Sequence, residues 1–92
     1  MQLSGKTVLV VGASSGIGRQ VVLALSHRGN NLVITARRKN LLDALAAEVR
    51  ANGSECLAVA SDALDEEGAA AVVSEAVARF GRIDVALLNV GD

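Results

Sequence analysis

The chain alternates short apolar runs with longer stretches in which apolar residues recur every three or four positions, so strands and helices are predicted in turn. Thr7-Val8-Leu9-Val10-Val11 is apolar on both sides of an extended backbone, as a strand covered on both faces requires. From 16 to about 28, Ile17, Val21 and Leu25 recur every four residues and give a helix its apolar face. Gly29 stops that helix, Asn30-Asn31 turns the chain, and Leu32-Val33-Ile34-Thr35 makes a second strand. Leu41, Leu42, Leu45 and Val49 mark a second amphipathic helix, whose other side carries Asp43, Glu48 and Arg50 and which Gly53 closes. A third strand spans 56–60. Asp65 is a good N-cap, followed by Glu66 and Glu67 where a helix dipole favours negative charge. The helix it opens is expected to bury Val72, Val73, Ala76 and Phe80 and to end at Gly81, ahead of a fourth strand over 83–88.

The order β-α-β-α-β-α-β predicts an α/β fold, a three-layer Rossmann-type parallel sheet with right-handed crossovers. Four strands in the order 3-2-1-4 place the first two helices on one face and the third alone on the other. Parallel sheets need cover on both faces, so the doubly wound fold is incomplete and its second face is under-covered. Residues 1–92 therefore read as the N-terminal part of a single Rossmann-type domain, the front portion of something larger.

Composition narrows the function. Nine Lys and Arg against ten Asp and Glu leave no basic field for nucleic acid. No apolar stretch approaches the roughly 18 residues needed to span a membrane, and the first strand begins too early to leave room for a signal peptide. The lone Cys56 excludes an intramolecular disulfide and fits a reducing compartment, so a soluble, cytoplasmic protein is expected. Tyr, Trp and Pro are absent, and an enzyme that uses a tyrosine acid cannot be complete in these 92 residues.

The segment with chemistry in it is Gly12-Ala13-Ser14-Ser15-Gly16-Ile17-Gly18, set between the first strand and the first helix. Glycines there let the backbone turn sharply and approach a ligand. The helix start then offers amides and a positive dipole end to a phosphate. Gly12, Gly16 and Gly18 are candidates for a pyrophosphate turn, against the plainer reading of a strand-to-helix turn. Ser14 and Ser15 either donate to phosphate or ribose or cap the helix. At the end of the second strand, where an acid would hold a ribose 2′-OH, the chain has Ala36 followed by Arg37 and Arg38. An acid would repel a 2′-phosphate and a guanidinium can grip it, so a preference for NADP(H) over NAD(H) is expected. The alternative is two solvated charges ahead of a helix. Asp62 follows the third strand, and Asn89 and Gly91 line the same crevice at the strand ends, where open α/β sheets bind ligands. His27 and Cys56 read as a surface residue and a small core side chain, and Asp84 lies at the opposite end of the sheet.

Taken together, Val11 to Gly18, Ala36-Arg37-Arg38, Ser61-Asp62-Ala63 and Leu88-Asn89-Val90-Gly91 resemble the short-chain dehydrogenase/reductase family over the whole chain. The family's glycine motif carries Thr where this chain has Val11. Its fourth strand usually ends Asn-Asn-Ala-Gly, against Leu88-Asn89-Val90-Gly91 here, and the methyls of Val90 would narrow the space beside the adenosine ribose. The resemblance implies that Ile17 belongs to the cofactor turn, that Asp62 accepts from the adenine amino group and that the Ala63 amide contacts the ring. It also implies that a basic residue at the position of Arg37 goes with NADP(H).

In that family, hydride transfer relies on Tyr and Lys with Ser and often Asn, all from beyond the fourth strand. The resemblance thus implies the NADP(H)-binding portion of an oxidoreductase acting on a carbonyl or alcohol, inactive by itself, from a homo-oligomeric parent. Two rivals remain: a stand-alone, non-catalytic nucleotide-binding or interaction module, and a fragment that self-associates through its under-covered face.

Overall fold

The computed structural model describes residues 4–13, 16–61 and 65–88. Seven elements follow one another: β1 (Thr7–Val11), α1 (Gly16–Ser26), β2 (Asn31–Ala36), α2 (Lys39–Ala51), β3 (Glu55–Ala60), α3 (Glu66–Phe80) and β4 (Val85–Leu88). The strands form one parallel sheet in the order β3-β2-β1-β4. Val11 pairs with Thr35 on one side and Leu88 on the other, and Thr35 pairs with Val59, so the carboxyl ends of all four strands lie in a row.

Alternation along each strand divides the core into two layers. Val8, Val10, Leu32, Ile34 and Cys56 point to the face covered by α1 and α2, where they meet Val22, Leu25, Leu42, Leu45, Ala46 and Val49. Leu9 and Val33 point to the other face and meet Val72 and Ala76 of α3, with Phe80 and Ile83 packed at the border. The layer under α3 is the smaller one. Beside α3, an apolar groove of about 170 Å³ runs over β1 and β4, lined by Leu9, Val11, Ala69, Val72, Val73, Ala86 and Leu88. Leu88 is 72% exposed.

Several expected faces turn out rotated. The buried stripe of α1 is Gly18, Val22, Leu25 and Ser26, while Ile17 stands 72% exposed and Val21 is half-buried. A strict four-residue repeat drifts around a helix with 3.6 residues per turn, and the 18-22-25 spacing follows the axis more closely. Likewise Leu42, Leu45, Ala46 and Val49 form the buried stripe of α2, with Leu41 exposed beside it. On α3, Val73 is exposed and Phe80 half-buried, and only Val72 and Ala76 are fully covered. Helix α1 ends at Ser26 and not near 28, and β4 begins at Val85 and not at 83. Asp65 occupies the N-cap of α3 but makes no side-chain cap bond, leaving Glu66 and Glu67 as the charges that favour this helix start.

Polar side chains close the amino end of the sheet. The Ser54 hydroxyl donates to the Ser26 carbonyl at 2.7 Å and accepts from the Asn30 amide at 3.0 Å. Asn30 Nδ2 donates to the Leu25 carbonyl, and Asn52 Nδ2 donates to Ser26 Oγ. These bonds link the ends of α1 and α2 to the strands that follow them.

Candidate cofactor crevice at the strand ends

In a parallel α/β sheet, ligands bind outside the carboxyl ends of the strands. Three turns of this chain meet there. The first follows β1: Gly12 has φ 77° and Gly16 φ 58°, values that a side chain strains. The amides of Gly12 and Ala13 both donate to the Thr35 carbonyl, at 2.9 and 3.2 Å. The turn is therefore pinned to β2, and those two amides face the sheet. Among the described residues of the turn, the amides that can serve an anion belong to the first turn of α1, whose leading N–H groups have no intrahelical acceptor. Gly18, in that turn, is buried and allows the helix to lie close to the sheet.

The second turn follows β2. Ala36 ends the strand, Arg37 is exposed, and Arg38 takes the N-cap position of α2 with φ −94° and ψ 100° and no side-chain cap bond. Neither arginine has an ion-pair partner among the described residues, whereas the neighbouring Lys39 pairs with Asp43 at 2.9 Å. The first turns of α1 and α2 contain no acid; that of α3 contains Glu66 and Glu67. Dipole and side chains thus leave the positive ends of α1 and α2 uncompensated at the crevice.

The third turn follows β3. The Ser61 amide donates to the Ala36 carbonyl at 3.0 Å, and its hydroxyl lies 3.3 Å from that of Thr35. Sequence reasoning named neither Thr35 nor Ser61 as a site residue, although Ser61 opens the Ser61-Asp62-Ala63 motif and Thr35 is a polar residue near the end of an apolar strand. Gly12, Gly16, Ile17, Gly18, Arg37 and Arg38 are brought to this end of the sheet, with Ile17 projecting into solvent. Ser14, Ser15, Asp62, Ala63, Asn89, Val90 and Gly91 lie outside the described residues. His27 is exposed, Cys56 is buried, and Asp84 sits at the opposite end of the sheet against Thr7.

The arrangement suits a phosphate-bearing ligand: backbone amides and guanidinium groups, with no cluster of metal-ligating side chains among the described residues. No helix among them is long and apolar enough to cross a membrane.

Sheet order and crevice define a Rossmann-type α/β protein. The short chain dehydrogenase family model matches residues 6–92, and the chain belongs to that family. It is 45% identical over 86 residues to the 1,6-dihydroxycyclohexa-2,4-diene-1-carboxylate dehydrogenase of Acinetobacter baylyi, a match covering 94% of this chain and 33% of the relative. A short chain dehydrogenase from Mycobacterium thermoresistibile superposes with a TM-score of 0.89 at 28% identity, covering 96% of this chain and 34% of the other. An NAD+-bound xylitol dehydrogenase gives 0.86 at 30% identity, with 94% and 33% covered. The chain spans about a third of the length of these proteins.

Proposed function

We propose that the chain is the cofactor-binding portion of an NADP(H)-dependent oxidoreductase that interconverts a carbonyl and an alcohol. In that role the bound nicotinamide supplies or accepts the hydride. The chain's own residues hold the nucleotide end: the first turn of α1 faces the pyrophosphate, and Arg37, with Arg38 beside it, faces the 2′-phosphate. Ser14, Ser15, Asp62, Ala63, Asn89, Val90 and Gly91 complete the proposed contacts. Residues 1–92 form the front part of one domain in this reading, and the catalytic acid–base group comes from elsewhere in a longer, homo-oligomeric, cytoplasmic protein.

The observation that carries the NADP(H) preference is the end of β2. Ala36 stands where an acid would bind a ribose hydroxyl, and two arginines without ion-pair partners among the described residues follow it, at a helix start with no acid in its first turn. A relative solved with NAD+ means that family membership alone does not choose between the two cofactors.

Calorimetric titration with NADP+ and NAD+ tests the reading. NADP+ should bind more tightly, and Arg37→Ala should weaken NADP+ alone. Charged hydrogen bonds contribute about 1.5–3 kcal/mol, and the exposure of Arg37 puts the loss near the lower end, about ten-fold at physiological salt. Equal affinities for the two cofactors, unmoved by Arg37→Ala, would reject the preference. The apolar groove beside α3 supports a second reading, self-association of the isolated chain, which sedimentation over a concentration series reads directly.

A further inference from the structure

We infer that Thr35 is a positioning residue for the adenosine end of the crevice, holding the ends of β1, β2 and β3 in one fixed arrangement. The inference rests on the cofactor-binding reading above. Thr35 is fully buried and lies one residue before the end of β2, paired with Val11 and Val59 on either side. Its carbonyl accepts both Gly12 N–H and Ala13 N–H. Two donors on one carbonyl fix the turn after β1 to β2, and with it the point where α1 begins.

The side chain works in the other direction. Thr35 Oγ1 lies 3.3 Å from Ser61 Oγ, and the Ser61 amide donates to the carbonyl of Ala36. The chain leaving β3 is thereby tied to β2 twice, through backbone at Ala36 and through side chain at Thr35. Arg37 follows Ala36 directly. A nucleotide laid across the ends of β2 and β3 therefore meets two walls whose separation residues 35 and 36 set.

A separation of 3.3 Å is long for a hydroxyl pair, so the bond stabilises the free chain little. In the inference, this pair shortens when a nucleotide fills the crevice. A scaffold role and a positioning role then predict different things. Thr35→Val keeps the shape and removes a buried hydroxyl without stranding a backbone group, so thermal stability should hold or rise. Ser61→Ala leaves the Thr35 hydroxyl buried without its partner and should lower stability, and the double variant should recover it.

The test is calorimetry on the 92-residue chain with two probes. Adenosine 2′,5′-bisphosphate reports the β2–β3 end, and inorganic pyrophosphate reports the glycine turn. In Thr35→Val, adenosine 2′,5′-bisphosphate should bind about three- to ten-fold more weakly with pyrophosphate unchanged, and Thr35→Ser should restore it. Unchanged bisphosphate affinity in Thr35→Val overturns the inference. Equal loss of both probes overturns it too, since that reports a loosened glycine turn. A folded wild-type chain that binds neither NADP+ nor either probe rejects the cofactor reading itself. Hydrogen exchange at the Ser61 amide tests the tie itself: faster exchange in Thr35→Val but not in Thr35→Ser shows that Thr35 holds the end of β3, and equal exchange in all three overturns the inference.

Discussion

The carboxylate of Asp84 accepts a hydrogen bond from the backbone N–H of Thr7 at 2.8 Å, joining residues 77 positions apart, and the Asp84 amide returns one to the Thr7 carbonyl at the same distance. Together they lock the entry of β4 to the entry of β1. Arg82 Nε donates to the same carboxylate oxygen at 3.1 Å. The Thr7 hydrogen bond, with Arg82 and Lys6 adding positive charge, holds the Asp84 carboxyl below its ordinary value of 3.8.

A depressed carboxylate pKa stabilises the fold at pH values above the ordinary one, and that contribution is lost as pH falls through the folded value. Asp84→Asn keeps an acceptor for Thr7 but removes the charge. Melting temperatures measured from neutral pH downward should show wild type losing more than Asp84→Asn below about pH 4. Parallel curves for the two proteins would mean that the latch carries no charge-dependent stability.

Ser54 offers a separation of scaffold from site. Its hydroxyl serves the Asn30 amide and the Ser26 carbonyl at the end of the sheet opposite the crevice. Ser54→Ala removes both bonds from a buried position, at a cost of about 1–3 kcal/mol. For a domain of this size each kcal/mol lowers the melting temperature by about 4–8 °C. Affinity for NADP+, measured well below the transition, should stay within about two-fold of wild type, because these two bonds lie at the end of the sheet opposite the described crevice residues. A larger loss of affinity would show that the two ends of the sheet are coupled.

The strand order and the two-sided burial of β1 were legible because buried parallel strands are apolar throughout and their crossovers have one hand. Helix faces were harder. Leu41 and Leu42 are adjacent leucines, and only packing decides that Leu42 enters the core while Leu41 stays out. Ile17 illustrates the same limit. Its apolar character suggested the core, whereas Gly18 takes the buried position of that turn and Ile17 stands exposed at the crevice. The turn at Gly12 and Gly16 was readable because a positive φ needs glycine, and the acid-free strand end that motivates the proposal for Arg37 is visible in the sequence as Ala36-Arg37. Thr35 was not, because its role depends on a carbonyl meeting two amides from another strand end and a hydroxyl 26 residues away.

Cys56 supplies the control that every binding experiment on this chain needs. Its side chain is fully buried on β3, among core residues beneath α2. Burial pushes the thiol up from 9.0 to about 11, against the opposing charges of Arg50 and Arg79. At neutral pH the folded thiol is both inaccessible and protonated, so a thiol reagent should react only through opened molecules. Where closing outpaces labelling, the rate relative to unfolded chain gives the open fraction, and a ligand that binds the folded state must slow it. NADP+ should therefore slow labelling in wild type and lose most of that effect in Arg37→Ala. The raised pKa also sets a sign at alkaline pH: stability is fully present below the unfolded value of 9.0 and is lost as pH climbs toward about 11. Rapid labelling at neutral pH without denaturant would show that the isolated chain is largely open, and a failed titration would then report on folding and not on the crevice. Slow labelling that NADP+ leaves unchanged would count directly against cofactor binding.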